Sequence, residues 1–593
     1  MKEVKTLLKF MKGNIIAYLI GMIFVIIAQF FAILAPLVIR TTIDSIIGDE
    51  LITSQIVVKA VEVFGGKYFL RENLWIIGIL IIAVAVLRGI FMFLKSFLSS
   101  KSAENTIKAL RDALYDHIQK LPYGFHVKAD TGDLVQRCTS DIETIRRFLG
   151  IQLVEVSGSL FMISFVLYVM LKLNTKLALV SVITLPILFT FAYLFFTKVK
   201  KIYQEVDEAE AAISTVLQEN LTGVRVVKAF ARQKYELVKF DEKNRDYTDK
   251  AYNLMKILAI YWGCSDFICY MQIGLLLLFG SILALKGQIS LGIFIAFTTY
   301  INMLIWPTRQ LGRILTDMGK AIVSIRRINQ ILDEPIEILE ENHLKPVIKG
   351  SISFEHVYFE YEENKPVLED ITFTVKPGET VAIIGPTGSG KSSLIHLLAR
   401  LYEYTKGSIK IDGIELKCID KAWIRKNVGI VQQEPFLFAK TIRENIKLAN
   451  PTIDDVRMYE AAKIANIDKD ILYFDKGYDT LIGERGVSLS GGQKQRMTIA
   501  RIIINQCPIV VFDDSLSAVD TETDLSIRRE LKNRKNKSTT IIISHRISTV
   551  SEADLIIVLD NGKIVQRGNH KSLLKEEGLY KRIYQIQNPI DHI

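Results

Sequence analysis

Gly385-Pro386-Thr387-Gly388-Ser389-Gly390-Lys391-Ser392-Ser393 decides how the second half of this chain is read. It has the form G-x-x-x-x-G-K-[ST], follows an apolar β-type run at 381–384 and opens a helical pattern at 392–401. In that context small residues let the backbone wrap phosphate oxygens, and the amides of the loop and helix start donate to them. Lys391 is placed to reach the outer phosphates and Ser392 to offer a hydroxyl to Mg2+. The motif points to a nucleotide site and leaves open what the energy drives. Strand-like runs at 352–361, 371–375 and 381–384 alternate with amphipathic helices, which indicates an α/β domain with a largely parallel sheet over 350–593.

Further on, Leu489-Ser490-Gly491-Gly492-Gln493 precedes a helical run from Lys494. Small residues at a helix start form a second anion grip. Two separate grips suggest a nucleotide sandwiched between two copies of the domain. The apolar run Ile509-Val510-Val511-Phe512 ends in two carboxylates, Asp513-Asp514.

Upstream the composition changes. Hydrophobic residues make up 49% of the 593, and they crowd into runs before about residue 310. Six runs are long enough to cross a bilayer: 15–39, 74–98, 150–173, 177–198, 257–285 and 289–307. The first is too long for a signal peptide, and residues 1–12 read as a basic amphipathic helix at the membrane surface. The links 99–149 and 199–256 are long, helical and rich in Lys and Arg, whereas Asn174-Thr175 and Lys286-Gly287-Gln288 are short. The positive-inside rule places both long links, and both termini, in the cytoplasm. The membrane domain is expected over 1–325, with a Pro-containing linker over 326–349.

The formal net charge of +10 flanks the apolar runs, which suits a membrane face and membrane lipid rather than nucleic acid. The five cysteines, Cys138, Cys264, Cys269, Cys418 and Cys507, form no CxxC pair, so neither a disulfide framework nor a zinc site is expected.

Nearly the whole chain resembles an ATP-binding cassette (ABC) exporter half-transporter: a six-span α-helical domain followed by an α/β P-loop ATPase domain. The resemblance implies roles. Tyr361 corresponds to the aromatic that stacks on adenine, and Gln433 to the glutamine that touches Mg2+ and senses the membrane domain. Asp513 corresponds to the aspartate holding Mg2+ through water, and His545 to the switch histidine on the γ-phosphate. Ser490, Gly491, Gly492 and Gln493, with Asp520 in Ser517-Ala518-Val519-Asp520, would meet ATP in trans. Gly483-Glu484-Arg485-Gly486 matches the exporter loop that meets the coupling helices. Thr131-Gly132-Asp133-Leu134 with Arg137 and Asp141 resembles the first coupling segment, and 219–230 the second. No separate N-terminal peptidase domain is expected, because the first span begins near residue 15.

In this family the residue at Asp514 is usually Glu, which acts on the attacking water. Asp is shorter by one C–C bond, about 1.5 Å, and a misplacement of about 1 Å can cost on the order of 100-fold in rate. The resemblance therefore implies ATP binding with slow hydrolysis at this chain's own site. It also implies a different partner half-transporter that carries Glu and a degraded signature. The alternative is a homodimer with two slow sites. The expected activity is ATP-driven export of lipophilic or amphiphilic, multidrug-type compounds across the bacterial cytoplasmic membrane. A homodimeric exporter of lipid or peptide, or an ATP-gated channel or importer on the same fold, stands as the alternative. Within the spans Asp266 is the most notable ionisable group: either a counter-charge for cationic substrates, or an ion pair with a residue such as Arg88 or Lys256, or a group exposed at the cytoplasmic mouth. Glu155 and Arg88 read as interfacial, and the aromatics Tyr261, Trp262, Phe267, Tyr270 and Trp306 as packing or cavity lining.

Overall fold

A computed structural model describes residues 2–48, 50–52, 55–337, 343–483, 486, 489–517, 519–532 and 537–588. Its contacts separate two units, Met1–Lys120 with Ala129–Pro335, and Leu121–Lys128 with Ile336–Ile593.

In the first unit, six helices among the described residues are long and apolar enough to cross a membrane. They are Ile15–Thr41, Leu74–Lys120, Leu153–Leu173, Thr175–Val182 continuing as Leu185–Ala229, Gln233–Leu285, and Leu291–Leu332. The breaks are locally encoded. Asn174 leaves the helical region (φ −159°), and its side chain accepts from Leu177 N at 3.0 Å, capping the next helix. Gly287 takes φ +66° in the other short link, a conformation glycine adopts freely. Ser290 then caps Leu291–Leu332. Asp44 receives Gly292 N at 2.7 Å and Ser290 Oγ at 2.5 Å. A Cβ on Gly292 would lie 2.5 Å from Asp44 Oδ1, so only glycine fits there. Ile33, Met162, Val166, Leu177, Phe297 and Tyr300 lie in the core of this unit.

The N-terminal helix Lys2–Met11 forms as expected. Its apolar residues Leu7 and Phe10 lie against Ile107, Leu110, Ile325 and Ile328, so that face is covered by neighbouring helices. Three of the long helices, at 47, 45 and 53 residues, run far beyond a hydrocarbon core, which about 20 residues cross.

Among its described residues the second unit holds ten strands: β1 (Ile352–Glu360), β2 (Pro366–Val375), β3 (Thr380–Ile384), β4 (Lys406–Ile411), β5 (Ile414–Glu415), β6 (Val428–Val431), β7 (Ile509–Asp513), β8 (Thr539–Ile543), β9 (Leu555–Asp560) and β10 (Lys563–Gly568). They form a four-stranded sheet, β2-β1-β4-β5, and a six-stranded sheet, β10-β9-β3-β8-β7-β6. The second sheet is parallel except at β10. β8 and β7 are buried almost throughout, the pattern of a parallel sheet covered on both faces. The helix after the glycine loop is Lys391–Leu398, shorter than the expected 392–401. Arg400 turns left-handed (φ +50°) and its buried guanidinium binds Glu403 and the carbonyl of Ile419.

Candidate functional site

The glycine loop leaves the centre of the parallel sheet, because β3 lies between β8 and β9. Close packing explains its composition. A Cβ on Gly385 would lie 2.0 Å from Leu559 O, and one on Gly390 2.6 Å from Leu368 Cδ2. Gly388 and Gly390 also take φ +83° and +96°. Pro386, Thr387 and Gly388 are exposed, while Ser389, Lys391 and Ser393 are buried. The Lys391 ammonium donates to Gly385 O at 2.9 Å and Pro386 O at 2.7 Å. Burial lowers its pKa, against the pull of the Asp513 and Asp514 carboxylates.

Ser392 Oγ donates to Asp513 Oδ1 at 3.2 Å. This joins the start of the helix to the end of β7 and sets two hard oxygen donors side by side. Burial raises the Asp513 pKa, and the Asp514 charge adds to this while Ser392 and Lys391 oppose it. A close-packed glycine cradle, free amides at a helix start, a buried cation beside the loop and a hydroxyl–carboxylate pair fit a nucleoside triphosphate and a hard divalent cation such as Mg2+.

Asp514 is held by its backbone. Its N–H donates to Ile543 O at 2.9 Å, and its carbonyl accepts Ser517 Oγ at 2.6 Å. Its φ is +45°, a region where Asp and Asn are enriched over other side chains. Its Oδ1 is buried without a hydrogen-bond partner. His545 is exposed on the segment after β8. Gln587 brackets it from the last helix, Leu579–Gln587, donating to His545 O at 2.6 Å and accepting from Ile547 N at 2.9 Å. The neighbouring Arg546 binds the carbonyls of Ser517 and Val519. Asp520 Oδ2 caps the next helix by accepting from Thr523 N at 2.9 Å. Sequence reading missed Gln587 and Arg546, whose bonds span 42 and 29 residues.

Tyr361 reaches Ser393 Oγ at 3.0 Å, and its ring meets Tyr402 edge-on at 4.9 Å. The short helix Tyr123–Lys128 packs there too. The Tyr123 ring lies 5.8 Å from Tyr402 and 5.6 Å from His396, and a Cβ on Gly124 would lie 3.2 Å from Tyr402 Cε1. Gln433 is exposed. Ser490 and Gln493 form a reciprocal cap on Gly491–Ile503, so the Gln493 side chain is engaged within its own helix. That helix packs on Asp455–Ile464, Ile442–Ile446 and β6. Glu484, Arg485 and Ala518 lie outside the described residues.

Residues 18–308 match the family described as ABC transporter transmembrane region, and 368–517 that described as ABC transporter. Two Staphylococcus aureus proteins (strains COL and MW2), provisionally named multidrug export ATP-binding/permease proteins, are each 34% identical to it over 558 residues, 94% of both chains. The chain is an ABC exporter half-transporter. A solved bacterial Atm1-family ABC exporter with ATP bound shares its fold, with a TM-score of 0.78 at 25% identity over 98% of this chain and 99% of that one. Half-transporters of this family are membrane proteins that work as dimers and couple ATP hydrolysis to transport.

In the membrane unit of the half-transporter Asp266 forms an ion pair, the partner being Arg309 at 2.7 Å rather than Arg88 or Lys256. The guanidinium also lies 4.6 Å over the Trp262 ring, and the pair leaves no net charge. The residues read as the first coupling segment hold their own unit together: Asp133 binds Arg137 and Arg327 at 2.7 Å, and Asp141 binds Ser324 at 2.9 Å. The segment grouped with the ATPase unit is Leu121–Lys128.

Proposed function

We propose that this half-transporter exports lipophilic or amphiphilic compounds across the cytoplasmic membrane, with both termini cytoplasmic. It would be paired with a different half-transporter, and the ATP site on its own P-loop would turn over slowly. The naming of its Staphylococcus aureus relatives as multidrug export proteins supports the cargo class. The observation that carries the slow site is the Asp514 side chain: one methylene shorter than the family's usual Glu, on a backbone fixed by Ile543 and Ser517.

The geometry supports the following roles. Tyr361 stacks on adenine. Lys391 leaves the carbonyls of Gly385 and Pro386 for the phosphates, which also take the amides at the start of the helix Lys391–Leu398. Ser392, Asp513 and Gln433 would hold Mg2+, which would supply charge neutralisation at the phosphates. Asp514 orients the attacking water from too far back, and His545 bonds the γ-phosphate. The helix start at Ser490–Gln493 and Asp520 complete the partner's site. Tyr123–Lys128 carries nucleotide-dependent movement to the membrane helices through Tyr402, beside the adenine-stacking Tyr361.

The test is to isolate the complex from its native membrane, identify the partner by mass, and compare ATPase rates of this chain alone and paired. Equal rates reject the unequal pair. Uptake of a lipophilic dye against a gradient in inside-out vesicles is the export signature; equilibration without accumulation rejects export.

A further inference from the structure

The membrane unit holds an open-sided cavity of about 620 Å³ between the helices Ile15–Thr41, Leu74–Lys120, Leu153–Leu173 and Leu291–Leu332. Arg88, Lys95 and Glu155 line it, along with Gln29, Met92, Met162, Met303 and Trp306. The sequence placed Arg88 and Glu155 at interfaces. Both line this cavity, and both side chains are exposed.

Lys95 is only 7% exposed. Among the described residues no hydrogen bond or ion pair reaches it, and the same holds for Arg88 and Glu155. The oxygen of the Gln29 side chain is also buried without a partner. A lone charge away from water is costly, and within a membrane domain such a group commonly marks a ligand path. Arg88 and Lys95 are seven residues apart on one helix, so they share a face, about 10 Å apart along the axis. The cavity therefore carries two cations against one carboxylate, and among the described residues no ion pair neutralises the excess. Asp266, the other carboxylate considered for substrate, is already matched by Arg309. The three methionines provide a soft apolar wall that adapts to different shapes.

We propose that this cavity binds amphiphiles with an anionic head, such as a phosphate, sulfate or carboxylate, the head seated on Lys95 and Arg88 and the apolar body along Met92, Met162, Met303 and Trp306. The inference rests on the export reading and names its substrate class. The head could belong to an exported solute or to a membrane lipid.

The experiment uses the full chain in its native dimer, in phosphatidylcholine nanodiscs. Equilibrium binding is measured for dodecyl phosphate, dodecyltrimethylammonium and dodecanol, which share one tail. Dodecyl phosphate is expected to bind tightest. Lys95→Gln weakens it about tenfold or more, the scale of one charge-assisted contact, and Lys95→Arg retains it. Glu155→Gln tightens it, and misfolding cannot produce opposite signs in the two variants. Preference for the cation or the alcohol, or equal shifts in the two Gln variants, overturns the proposal. Competition by added phosphatidylglycerol assigns the head to lipid, and no competition assigns it to solute; either upholds an anionic site. Vesicle accumulation separates the two readings. Transport of the cation or the alcohol with no phosphate binding leaves export standing and removes the anionic site. Phosphate binding by these rules with no accumulation of any probe removes export alone.

Discussion

Asp266 and Arg309 form a 2.7 Å ion pair in which the arginine is 10% exposed and the carboxylate 50%. Asp266→Asn leaves a largely buried guanidinium without its counter-ion. Losing a partner of a buried pair costs about 3–5 kcal/mol, and the exposed carboxylate reduces this to about 1–2 kcal/mol. Thermal melting of the complex should drop for either single change and recover in Asp266→Asn with Arg309→Gln. Transport of cationic and neutral compounds should fall in parallel; loss confined to cations would make Asp266 a substrate counter-charge.

Asp514→Glu restores the missing reach. Single-turnover hydrolysis at this site should rise by roughly 10- to 100-fold. The same change places a longer side chain at φ +45°, so stability should fall by about 1 kcal/mol. A variant that hydrolyses no faster would show that Asp514 does not limit the rate.

The Asp513 pKa is raised, chiefly by burial. The sign follows from proton counting: between the unfolded and folded values the folded state holds more protons, so apo stability falls as pH rises through the raised value. The Mg2+-binding form is the ionised one. As pH falls from neutral, Mg2+-dependent nucleotide binding should weaken at a pH above the ordinary aspartate range, while the apo protein melts higher. Titrating both from neutral to acid pH checks the opposition, and Asp513→Asn should flatten both.

Gln587 holds both sides of the His545 segment. Gln587→Ala should lower kcat for ATP several-fold in the dimer and leave nucleotide affinity near wild type, because no contact of Gln587 involves the glycine loop. Gln587→Glu keeps the acceptor for Ile547 N but loses the donor to His545 O, and should fall between the two. Loss of affinity equal to the loss of kcat would mark a merely structural role.

The nucleotide site was legible because its parts are local. The loop 385–393, the strand before it and the helix after it are adjacent in sequence, and close packing at Gly385 and Gly390 demands those glycines. Pairings across the fold were not. Arg309 is 43 residues from Asp266, and nothing in either neighbourhood announces the other. Lys95 was hidden by the strongly apolar run around it, and only the helix arrangement shows that it faces a cavity. The six spans followed from length and hydropathy, whereas the docking of Tyr123 on Tyr402 depends on a turn that composition does not encode.

The helix Gln233–Leu285 has 53 residues and therefore runs for about 80 Å. Only about 30 Å of that is needed to cross the hydrocarbon, so roughly 50 Å projects beyond it as a stiff arm, braced along its length by Leu185–Ala229. A tilt of about 5° at the membrane boundary would sweep the far end by about 4 Å, comparable to a single contact distance. Leverage of this kind trades distance for force: a large stroke at the tip near Phe230 under a modest push corresponds to a small opening among the spans, delivered with greater force over a short path inside the bilayer. Shortening both arms by matched whole turns would preserve every side-chain face and still reduce that gain.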